Sequence, residues 1–114
     1  CMSGITYYKG LTNLYKLTGY NVSIIHLTSI IKSNKFIPRS SIQNLMLYIF
    51  INDNYSHDEK ISLIQNMLNQ KNYASSKLQQ DIVAFLIKRT PDHYHENIHN
   101  ILNKVFNRKK LLNY

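Results

Sequence analysis

Apolar residues recur along most of this chain at intervals of three and four, the spacing that lines one side of an α-helix. A first helix is expected over about residues 5–18, with Tyr8, Leu11, Leu14, Tyr15 and Thr18 on one side and Gly19 as its stop. Asn21 is placed to cap a second helix running to about residue 33. Val22, Ile25 and Leu27 to Ile31 supply its stripe, although so many β-branched residues also suit a strand. Pro38 and Ser40 introduce a third helix over about 39–51. Its second half, Met46-Leu47-Tyr48-Ile49-Phe50-Ile51, is apolar all round and belongs at the centre of a core.

Asn52-Asp53-Asn54 interrupts the pattern, and Ser56-His57-Asp58-Glu59 then has the form of a capping box. The fourth helix it opens is built on Ile61, Ile64, Met67 and Leu68. Ser75 or Ser76 starts a fifth, with Leu78, Ile82, Phe85 and Leu86 at spacings of four, three and one. Thr90-Pro91 ends it and starts a sixth, whose stripe is Ile98, Ile101, Leu102, Val105 and Phe106. Six helices joined by short connections imply one all-α domain over residues 1–114, either a compact bundle or a short right-handed superhelix.

Composition agrees with one modest core: 114 residues, 44% hydrophobic and 18% charged. The longest apolar run, Leu45 to Ile51, is far short of the roughly 20 residues that span a bilayer. No basic stretch followed by an apolar block suggests a secretory leader. Cys1, ahead of Met2, reads as an added residue or the edge of a fragment. One thiol makes no intrachain disulfide, so an intracellular protein, in the cytoplasm or nucleus of a host, is expected rather than a secreted one. Lys outnumbers Arg 11 to 3, with 14 Asn and 15 Ile, as AT-rich codons give in many viral and microbial genomes.

Codon bias does not explain where the charge lies. Residues 1–52 carry Lys9, Lys16, Lys32, Lys35 and Arg39 and no acid; residues 53–99 are near neutral; residues 100–114 add Lys104, Arg108, Lys109 and Lys110. A formal net charge of +8 with two basic ends favours a polyanionic partner, whether nucleic acid, an acidic protein or an anionic membrane.

The segment 22–50 offers an element to meet one. A helix, a turn and a second helix opening on Arg39-Ser40-Ser41-Ile42-Gln43-Asn44 have the order of a helix-turn-helix. Ile42, Leu45 and Ile49 would lock the two helices together. Arg39, Ser40, Gln43 and Asn44 would face a groove, since Arg, Gln and Asn pair with base edges. Lys32 and Lys35 would flank it on phosphates, and Arg108, Lys109 and Lys110 would add sequence-independent affinity. The alternative is a protein-interaction module docking a basic, Tyr-rich side (Tyr7, Tyr8, Tyr15, Lys16) on an acidic partner.

Catalysis is not expected. His95-Glu96-Asn97-Ile98-His99 matches the H-E-x-x-H zinc pattern, but no His, Asp, Glu or Cys follows it as a third ligand. A surface group of His93, His95 and His99 is the simpler expectation. The sequence holds no Gly-rich phosphate loop, no nucleophile elbow and no cofactor motif, so a binding protein without metal or cofactor is expected.

Overall fold

The computed structural model describes residues 4–33, 37–69 and 75–112; the side chains of residues 4–6, 39, 40 and 108–112 lie outside that description. Lys35 therefore falls outside it, as do the side chains of Arg39, Ser40, Arg108, Lys109 and Lys110. The helices are α1 (Gly4–Thr18), α2 (Ile24–Ser33), α3 (Arg39–Ile51), α4 (His57–Asn69), α5 (Ser76–Arg89) and α6 (His95–Leu112), with a 3-10 turn at Asp92–Tyr94. No strand occurs among the described residues. The β-branched run of residues 24–31 is helical, because Leu27 and Ile31, four apart, reach one buried face.

The architecture is an all-α bundle wrapped around α3. Leu45 through Ile51 are all buried, as a helix apolar on every side must be. Helix α1 lies along one side of α3, α4 and α5 pack on others, α2 rests on α4, and α6 closes the bundle across α4 and α5. The radius of gyration is 13.4 Å. A compact chain of this length is expected at about 13 Å, which separates the bundle from an extended superhelix.

Local signals explain most element ends. Gly19 takes φ +75 and its N–H reaches the Tyr15 carbonyl at 2.9 Å, the left-handed stop of α1. The capping box forms in full: Ser56 Oγ accepts the Glu59 N–H at 3.1 Å, and Glu59 Oε1 accepts the Ser56 N–H at 2.8 Å. Three expectations need correction. Ile25, expected on the apolar stripe of α2, is 81% exposed because Leu27 and Ile31 set the buried face. Ser23 rather than Asn21 starts α2, accepting the His26 N–H on Oγ at 3.2 Å. Asn21 is drawn away because its Oδ1 takes the Asn52 amide at 2.6 Å. Leu14, expected in the core, is 41% exposed, because α1 turns Tyr8, Leu11 and Thr12 towards α3 instead.

The C-terminal end of α3 is closed by side chains from distant elements. Lys60 Nζ donates to the Phe50 carbonyl at 2.7 Å, and the Tyr94 hydroxyl reaches the Ile51 carbonyl at 3.3 Å and Asp53 Oδ1 at 3.0 Å. A buried ammonium at a helix C-terminus answers both the orphan carbonyls and the negative end of the dipole. Beside it, the Tyr48 hydroxyl accepts from the Val22 N–H at 3.0 Å and from the Asn52 amide at 3.2 Å, while the Tyr55 hydroxyl donates to the Val22 carbonyl. The start of α2 is thereby tied to the end of α3.

Burial and the hydrogen bond to Asp53 push the Tyr94 pKa up to about 12 from an ordinary 10.0, and burial pushes Tyr55 up as well. Burial moves Lys60 the opposite way, down, with Asp53 partly restoring it. Phenols that stay protonated longer when folded stabilise the fold below pH 10.0 and lose that contribution as the pH rises through their folded values. Urea midpoints are therefore expected to fall above pH 10.0, less steeply for Tyr94→Phe. A steeper fall in the variant would contradict the assignment.

A candidate anion-binding cleft

Helix α1 carries three stripes. Tyr8, Leu11 and Tyr15 face the core, and Tyr7, Gly10, Leu14 and Leu17 run along one outer flank. Lys9, Thr12, Asn13 and Lys16, spaced three, one and three, share the remaining flank. This last stripe forms one wall of a cleft of about 280 Å³. Asn44 and Leu47 of α3 lie at its floor, and Arg89 closes it from the end of α5.

The floor is buried and the rim is exposed: Asn44 and Leu47 are 6% and 7% exposed, whereas Lys9, Lys16 and Arg89 stand in solvent. The Thr12 hydroxyl is used within α1, donating to the Tyr8 carbonyl at 3.1 Å. Arg89 is held in place, its guanidinium 3.8 Å from the Phe85 ring centroid and Nη1 3.2 Å from the Phe85 carbonyl. Stacking and one hydrogen bond fix the guanidinium plane and leave further N–H groups of the fork for an anion. Among the described residues, three cations thus border one cleft whose lining contains no carboxylate. Such an arrangement attracts an anion and can offer a phosphate several charge-assisted hydrogen bonds.

The base-reading face expected on α3 is not formed as expected. Asn44 is buried on the side of α3 along which α1 lies, and Ser41 is buried as well. Gln43 is half-buried. Helix α2, which a helix-turn-helix would seat across α3, packs mainly on α4. Ile42, Leu45 and Ile49 are buried, but within the whole bundle. Lys32 is exposed at the end of α2.

No family, curated protein or solved structure matches this chain.

The Tyr-rich side is also reassigned. Tyr8 is 4% exposed and meets Tyr7 edge-on at 5.2 Å between centroids. Tyr15 is half-buried, edge-on to Tyr48 at 6.3 Å, and its hydroxyl accepts the Asp53 N–H at 3.0 Å. These rings hold α1 to the core. Tyr7 and Lys16 remain exposed.

The histidines are separately engaged. His95 Nε2 lies 3.1 Å from the Thr90 carbonyl, His93 stacks obliquely on Tyr94 at 4.2 Å, and His99 lines a groove of about 530 Å³ between α5 and α6. Among the described residues no three His, Cys, Asp or Glu side chains come together as a metal site. A third, polar cavity of about 640 Å³ lies between α4 and α6, with Asp58 and Lys104 at its edge.

Arg89 carries no local signal of this role, because its partners across the cleft on α1 lie more than seventy residues earlier. The stripe Lys9-Thr12-Asn13-Lys16 was not singled out in the sequence either, although its signal is there: a polar and basic face at helical spacing within an acid-free stretch.

Proposed function

We propose that this protein is a non-enzymatic nucleic-acid-binding module that grips the phosphate backbone of a single strand in the cleft between α1, α3 and α5. The observation that carries the reading is the convergence of Lys9, Lys16 and Arg89 on one cleft lined, among the described residues, by no acid. A cleft of about 280 Å³ has room for a stretch of one strand's backbone and not for a duplex. Recognition through phosphate makes the binding tolerant of base sequence and dependent on salt. This replaces base reading by α3, whose Asn44 is covered. The acid-free first 52 residues extend the same positive field around the cleft and speed encounter.

The test is an amide NMR titration with a single-stranded oligonucleotide. Shifts are expected to concentrate at residues 9–16, 44–47 and 86–90. Shifts confined to α4 and α6, or none at low salt, would overturn the reading.

A further inference from the structure

A second feature of α1 is independent of the cleft. Leu17 is 84% exposed and Ile25 81%, with Tyr20 at 51% and Leu14 at 41%. All four fall within twelve residues, at the corner where α1 ends on Gly19 and α2 begins. Large aliphatic side chains left this bare are not serving the core. Lys16 stands exposed beside them in the chain, and the first 52 residues hold no acid.

We infer that this corner is a contact point for an anionic lipid surface, with Leu17 and Ile25 entering the headgroup–acyl boundary. Two observations select lipid over a protein partner. The charge is complementary along the chain: residues 1–52 are basic and hold no carboxylate. Asp53, whose N–H donates to the Tyr15 hydroxyl, meets α1 on its core-facing side rather than on the Leu14–Leu17 flank. The apolar residues also project rather than line a depression, with Leu17 and Ile25 more than four-fifths exposed. A fluid interface closes around a projecting side chain, whereas a folded partner needs a matching pocket. Tyr20 has the amphipathic ring that favours that boundary. The contact is peripheral: no helix among the described residues is long and apolar enough to cross a membrane.

The test compares the full chain with a Leu17→Ala, Ile25→Ala double variant by cosedimentation with vesicles of phosphatidylcholine alone or mixed with phosphatidylserine. The wild-type protein is expected to bind the mixed vesicles and to leave the neutral ones, and the double variant to lose about tenfold or more of that partitioning. Oligonucleotide binding by the variant should stay unchanged, which separates this surface from the cleft. Absence of vesicle binding, or equal binding by both proteins, would overturn the inference. So would parallel loss of oligonucleotide binding in the variant. A wild-type dimer that becomes monomeric in the variant would assign the corner to a second copy of the chain and overturn it too.

Discussion

Phe50→Ala is expected to lower the stability of the folded protein by about 3–5 kcal/mol, seen as a large drop in the urea midpoint. Phe50 is wholly buried near the end of α3, the helix around which the others are arranged. Truncation removes the transfer energy of an aromatic ring and leaves a cavity that surrounding helices fill only in part. A domain of this size has about 5–15 kcal/mol of stability in total, so the variant should sit close to unfolding at room temperature. Tyr48→Phe is the informative partner. It keeps the ring but strips the acceptor from the Val22 N–H and from the Asn52 amide, with an expected cost of about 1–3 kcal/mol. Losses below about 1 kcal/mol for Phe50→Ala would mean that α3 is not the centre of the core.

A triple substitution of Lys9, Lys16 and Arg89 by Gln is expected to weaken single-stranded oligonucleotide binding by about tenfold or more at low salt. The three cations border one cleft, so their effects should combine at one ligand. All three side chains are exposed, and surface changes of this kind usually alter stability by no more than about 0.5 kcal/mol each. Gln at position 89 gives up the stack on Phe85 and the bond to its carbonyl, so any thermal shift should come from that position. Unchanged affinity in the triple variant would sink the cleft assignment.

Much of the fold can be read from the chain because its signals are local. An all-apolar half-helix has one place to go, and Leu45–Ile51 went there. Ser56 and Glu59 are three residues apart, so their reciprocal bonds follow from spacing alone. The failures share a different cause. Asn21 has the chemistry of a helix cap, but Asn52, thirty-one residues later, competes for its oxygen. Asn44 sits near the polar start of α3, and only the placement of α1 along that side turns it from surface to floor. Tyr15 lies among lysines in the sequence yet bonds to Asp53 across thirty-eight residues. The cleft was half legible for the same reason. One helix supplies its wall at regular spacing, while Arg89 joins it through tertiary packing that no nearby residue announces.

The most direct measurement is the salt dependence of single-stranded oligonucleotide affinity, for the wild-type protein and the Lys9, Lys16, Arg89 triple variant in parallel. Three phosphate contacts on a single strand correspond to a log–log slope of about −2. The cleft account therefore predicts that the variant's slope is shallower than the wild type's by about 2, with the gap in affinity widest at low salt and closing as salt rises. Equal slopes in the two proteins would contradict it, because the phosphates would then be held elsewhere on the molecule.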